Sequence, residues 1–124
     1  MKKITILVLA LLLILPINTY AVSKKTIKNY TKTYMKKKYN WGTSQYKALD
    51  KIIIRESNWN YKAVNKYSKA TGLCQAYPAS KMRKYGKDYK TNYKVQVKFC
   101  LAYIKSRYQT PKKAWVFWQR HNWF

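Results

Sequence analysis

The chain has 124 residues, and 27 Lys or Arg against 3 Asp or Glu give a formal net charge of +24. That length holds one small domain. An apolar fraction of 48% and an aromatic fraction of 17% exclude a solvated basic tail, because such tails lack the side chains to bury a core.

Lys2 and Lys3 precede an unbroken apolar run from Ile4 to Leu15, followed by Pro16 and Thr19-Tyr20-Ala21. This pattern predicts a signal peptide over residues 1–21, removed after Ala21. As a helix the run reaches about 18 Å, short of the roughly 30 Å hydrocarbon core, so membrane contact is expected only before cleavage. The mature protein is expected to be secreted and to work in an extracellular, wall or periplasmic setting. Cys74 and Cys100 are then an even pair in an oxidising compartment, which favours a disulfide over two buried free thiols. With one His besides, a zinc site is not expected, and no cofactor motif occurs.

From Lys24 to Lys38 there are seven lysines, yet Ile27, Tyr30 and Tyr34 recur at helical spacing, so residues 22–38 read as a basic amphipathic N-terminal segment. Asn40 to Ser44 breaks it. Thr43 or Ser44 is placed to cap a second helix with the stripe Tyr46, Leu49 and Ile53, ending near Ser57 to Asn60. Asn65, Ser68, Gly72 and Pro78 mark an ordered loop over residues 61–78, followed by a short helix towards Gly86. Asn92 caps a longer helix with Val95, Phe99, Ala102, Tyr103 and Ser106 on one face, and Pro111 opens a last helix carrying Ala114, Trp115 and Trp118. The expectation is a single small all-α domain.

The chain holds three acids, Asp50, Glu56 and Asp88. Glu56, the only glutamate, falls at the end of the second helix, directly after Ile52-Ile53-Ile54. The negative end of a helix dipole and an apolar wall both raise a carboxyl pKa, as a general acid requires. The alternative is a helix-end glutamate paired with one of the many cations. Glycosidic hydrolysis commonly uses two carboxyl groups, about 5 to 5.5 Å or 6.5 to 9.5 Å apart. Asp50 lies about 9 Å away along the helix and about 120° around its axis, so a surface ion pair with a lysine is its expected role. Asp88, in a lysine-rich turn after Gly86, is the other possible partner. With neither, the second functional group must come from the substrate.

The blocks Tyr39-Asn40-Trp41-Gly42-Thr43-Ser44-Gln45-Tyr46, Arg55-Glu56-Ser57-Asn58-Trp59-Asn60, Ala63-Val64-Asn65, Gly72-Leu73-Cys74-Gln75-Ala76-Tyr77-Pro78, Tyr103-Ile104-Lys105-Ser106-Arg107-Tyr108 and Ala114 to Phe124 come in this order. Together they resemble the lysozyme-like lytic transglycosylase domain of the aggregation-promoting-factor type, over residues 39–124. The resemblance implies a small α-helical lysozyme-like fold that cleaves the β-1,4 bond between N-acetylmuramic acid and N-acetylglucosamine in peptidoglycan. It implies Glu56 as the catalytic acid, with the muramyl 6-hydroxyl closing a 1,6-anhydro ring. Ser57, Gln75 and Tyr103 match positions that serve the substrate, although Ile104 follows Tyr103 where many members have Asn. Cys74 takes the variable place of the Gly-Leu-x-Gln motif, so a bond to Cys100 would tie that loop to the long helix. Trp59, Trp115, Trp118 and Trp123 are candidates for stacking on sugars or for the core. His121 is expected to be structural or solvated.

Two other readings remain at this level: a hydrolysing muramidase using Asp88, and a non-catalytic cationic wall-binding or aggregation protein. Strong positive charge attracts anionic wall polymers, whereas the excess of lysine over arginine argues against specific nucleic-acid reading. A monomer acting on glycan strands is expected.

Overall fold

The computed structural model describes residues 21–124. The expected signal peptide falls almost wholly outside them. Helix α1 spans Lys24–Tyr39, α2 Thr43–Ser57, α3 Tyr93–Tyr108 and α4 Pro111–His121, and a 3₁₀ helix spans Ala79–Tyr85. No helix among the described residues is long and apolar enough to cross a membrane.

Local chemistry sets most of these boundaries. Ser23 Oγ accepts from Thr26 N at 3.2 Å and starts α1, and Asn40, at φ 57°, ends it in the left-handed conformation that Asn tolerates. Lys36, Lys37 and Lys38 fill the last turn, where the helix dipole favours cations. At α2 the cap position belongs to Gly42, without a side-chain bond; Thr43 and Ser44, expected as caps, are its first two helical residues. Asn58, also left-handed, ends α2. Asn92 caps α3 through Lys94 N at 3.0 Å, and Thr110 caps α4 with Pro111 in its first turn.

The buried stripe of α1 is Ile27, Thr31 and Met35, with the predicted Tyr30 and Tyr34 half-buried beside it. Thr31 enters the interior because its hydroxyl donates to Ile27 O at 2.7 Å. Ile27 and Met35 share one core with Leu49, Ile52 and Ile53 of α2, Leu101 and Ile104 of α3 and Ala114 of α4. The N-terminal helix is therefore integral to the domain rather than an appendage to it. Leu101 and Ile104 are fully buried, each stabilising the fold by about 1.5–3 kcal/mol.

Helix α3 is more buried than its sequence suggests. Val95, Val97, Phe99, Cys100, Leu101, Ile104 and Tyr108 lie inside on more than one face, while Ser106, expected on the inner face, is exposed. A smaller cluster of Ala76, Met82, Tyr89, Val95 and Phe99 seats the 3₁₀ helix.

The segment 61–78 is an ordered loop with two isolated bridges, Val64 to Thr71 and Thr71 to Ala76. Asn65 Oδ1 closes one turn by accepting from Tyr67 N and Ser68 N. The loop is fixed from below by Gln96 of α3, 1% exposed, whose Oε1 accepts from Leu73 N and whose Nε2 donates to Tyr61 O and Tyr89 O, each at 2.9 Å. Gly72, at φ +81°, lies so close to that amide that any side chain there would collide with it.

Candidate active site

Glu56 is half-buried in the last turn of α2, and α4 covers it: Trp118 Nε1 donates to Glu56 Oε1 at 3.0 Å. Burial pushes the carboxyl pKa above its ordinary value, and the Trp118 bond, which favours the ionised form, only partly offsets this. The one ion pair among the described residues joins Lys28 to Asp50, so Glu56 is not engaged by a cation. Its neighbour Arg55 instead stacks on indoles, 4.6 Å from the centroid of Trp115 and 5.2 Å from that of Trp118. The two indoles are themselves stacked at 5.6 Å. Aromatic faces thus take up the guanidinium beside the one glutamate.

The other acids are occupied elsewhere. Asp50 Oδ1 accepts from Trp59 Nε1 at 2.7 Å and lies 3.9 Å from Lys28 Nζ. The expected ion pair therefore forms, with a lysine of α1, and an indole adds to it. Asp88 Oδ2 accepts from Asn92 Nδ2 at 3.0 Å at the start of α3.

Ser57, next to Glu56, donates to Leu73 O at 2.7 Å. This joins the end of α2 to the loop that carries Cys74 and Gln75. The hydroxyl's proton is thereby engaged by the loop carbonyl, while its oxygen keeps its acceptor capacity. Gln75 adopts φ 52°, and its Nε2 donates to Gly72 O at 3.0 Å and Ala63 O at 3.3 Å, leaving Oε1 as the free end of the amide. Gln75 and Tyr103 line a single cavity of about 200 Å³ with Tyr77, Lys81, Phe99 and Phe124. Tyr103 also lines a neighbouring cavity of about 440 Å³ that runs along α3 past Lys84 and Ser106. Cys74 and Cys100 form a disulfide with Cα atoms 5.9 Å apart, clamping the loop to α3.

The tryptophans divide. Trp59 is 1% exposed and belongs to the core, whereas Trp115 and Trp118 form the half-buried stack over Arg55. Trp123 is half exposed and packs edge-on against Phe117. His121 is exposed, 4.2 Å from the Phe117 centroid. No cluster of three metal-ligating side chains occurs among the described residues.

Sequence reasoning placed Trp118 among sugar-stacking or core residues and missed its bond to the glutamate. The two are 62 positions apart, and no local pattern joins them. Gln96 was missed as well, being a polar residue inside an apolar helix.

The arrangement is a protonatable carboxyl in partial shelter, with one neutral donor and no ion-pair partner, beside a loop locked to the central helix. Such a group gives and takes a proton at one oxygen. The family model for the transglycosylase SLT domain matches residues 29–119, which include Glu56, Ser57, Gln75, Tyr103, both cysteines and Trp118. The match starts within α1, ahead of the Tyr39 boundary expected from the motif blocks. No curated protein and no solved structure matches the chain.

Proposed function

This chain belongs to the transglycosylase SLT domain family, and we propose that it is a peptidoglycan lytic transglycosylase in which Glu56 serves first as acid and then as base. Its helical architecture is the lysozyme-like fold of that family, which acts on peptidoglycan. The observation that carries the proposal is the environment of Glu56: sheltered, raised in pKa, hydrogen-bonded by the Trp118 indole and engaged in no ion pair.

In this reading the protonated Glu56 donates to the bridging O4 as the bond from muramyl C1 to that oxygen breaks. The resulting carboxylate then takes the proton of the muramyl 6-hydroxyl, whose oxygen bonds to C1 and closes the 1,6-anhydro ring. No water is consumed, and Glu56 ends protonated as it began. The cleavage needs no second enzyme carboxylate, in keeping with Asp50 and Asp88 being held by Trp59 and Asn92. Gln75 and Tyr103 are assigned to the glycan strand because they border one cavity, and Ser57 to holding the loop. We assign the subtype to the aggregation-promoting-factor kind on its motif blocks, and the site of action to the bacterial wall on the apolar segment from Ile4 to Leu15.

The test is digestion of purified peptidoglycan with mass analysis of the released ends. The native protein should yield 1,6-anhydromuramic ends, lighter by one water than reducing ends. Glu56→Gln should cut release by about 10² to 10⁴, the usual range for losing a general acid. Predominantly reducing ends would favour a hydrolysing muramidase. Near-native release by Glu56→Gln would overturn the assignment of Glu56, and no release by the native protein would favour a wall-binding role.

A further inference from the structure

At the other end of α2, about 14 to 20 Å from Glu56 by helix rise, a cavity of about 550 Å³ opens between α1 and α2. Its lining includes Lys32, Lys36 and Lys47, the aromatics Trp41 and Tyr46, and Thr43, with no carboxylate. Cavities of this size hold small ligands or a few units of a chain.

The cations are arranged for an outside partner. Lys28, Lys32 and Lys36 form an i, i+4, i+8 row on α1. Lys28 is neutralised by Asp50 and lies outside the cavity lining. Lys32 and Lys36 meet only neutral groups, the Tyr46 ring 4.7 Å from Lys32 Nζ and Asn40 Oδ1 2.8 Å from Lys36 Nζ. Lys47 adds a third charge from α2. Burial, with the charge of Asp50 second, pushes the Tyr46 phenol up to about 12, so it remains a neutral hydroxyl at ordinary pH. Ammonium groups bind phosphate as point charges without the fixed fork that reads planar partners.

We propose that this cavity binds a phosphodiester-linked polyol or sugar chain, with Lys32, Lys36 and Lys47 on its phosphates. A single linear strand fits the cavity, whereas a duplex or a bilayer surface does not enter it. Single-stranded nucleic acid is disfavoured because its binding uses open aromatic faces. Here Trp41 is 7% exposed and stacked on Tyr39 at 4.4 Å, and Lys32 covers Tyr46. The site is separate from Glu56 and goes beyond the cleavage reaction.

The experiment titrates the purified protein with lipid-free poly(glycerol phosphate) at about 0.15 M salt, where diffuse attraction is screened beyond roughly 8 Å. The triple variant Lys32→Gln, Lys36→Gln, Lys47→Gln should weaken binding at least about tenfold, since each charge-assisted contact is worth about that much. A control with the same net charge, Lys66→Gln, Lys87→Gln, Lys90→Gln, should stay within about twofold, as exposed charges contribute little. All six lysines are exposed, so both variants should fold. Equal losses in the two triples would overturn the site in favour of diffuse charge. Equal affinity for single-stranded DNA of matched charge, or binding to anionic vesicles alone, would overturn the ligand class. Release of ends from uncharged glycan fragments should not change in either triple, and this readout keeps the cavity distinguishable from the Glu56 proposal.

Discussion

Trp118 and Glu56 lie on different helices, and the 3.0 Å bond from the Trp118 indole to Glu56 Oε1 sets the carboxyl's orientation. The same bond works against burial in fixing the proton affinity of that carboxyl. One side chain of α4 therefore orients the candidate acid and moderates a proton affinity that burial mainly sets.

Replacing Trp118 by Phe keeps an aromatic ring but removes the donor. The N–H stabilises the carboxylate, so its loss should raise the Glu56 pKa further. Activity that needs protonated Glu56 declines as pH rises through that pKa, and the alkaline limb should move to higher pH in Trp118→Phe. A pH profile of kcat/KM on soluble glycan checks this; an unmoved or acid-shifted limb would show that the bond does not govern the proton.

Asp50→Asn should retain most turnover. The amide keeps an oxygen for the Trp59 indole and loses only a partly exposed ion pair, worth about 0–1 kcal/mol. Asp50→Ala leaves the buried Trp59 N–H without its acceptor and should cost about 1–3 kcal/mol in urea unfolding, again with the active site intact. A collapse of activity in Asp50→Asn comparable to that of Glu56→Gln would bring Asp50 into the chemistry.

The Cys74–Cys100 bond closes a loop with a sequence separation of 26. Replacing both cysteines by Ser should lower stability by about 3 to 4 kcal/mol on the chain-entropy account. Calorimetry of the variant and of the reduced native protein should give matching losses. Two titratable thiols in the unreduced, denatured protein would show that the bond does not form.

Gln75 separates positioning from binding. Its Nε2 faces two carbonyl oxygens, so Gln75→Glu sets a carboxylate against Gly72 O and Ala63 O and should cost about 1–3 kcal/mol of stability. Thermal unfolding should rank Gln75→Glu below Gln75→Ala, while both raise KM for glycan. A fully stable Gln75→Glu would mean that the loop does not depend on those bonds.

How far the sequence revealed this molecule depended on the range of each interaction. Asn40, Ser57, Asn92 and Pro111 marked helix ends because capping and ring constraints act within a few residues. The placement of Glu56 at the end of an apolar helix was equally local, and with few acids in the chain it stood out. The expected Ile27, Tyr30 and Tyr34 of α1 do pack on the core, with Thr31 and Met35 buried beside them, whereas the inner side of α3 was only partly legible because burial on more than one face has no single period. Thr31 reads as surface-bound until its bond to Ile27 O is known, and Gln96 until its three partners are. The Trp118 bond to Glu56 and the burial of α1 arise only when distant segments meet.

Gln96 also substitutes for missing architecture. A side-chain amide is chemically a peptide group, and this one occupies the position a neighbouring strand would take, offering an oxygen to Leu73 and hydrogens to Tyr61 and Tyr89. With no sheet among the described residues, the loop before the 3₁₀ helix adds to its two isolated bridges a cross-chain pairing drawn from a rod-like helix. Its shape is inherited from α3, so sequence changes in the loop and around Gln96 must be made in concert to keep the two in step.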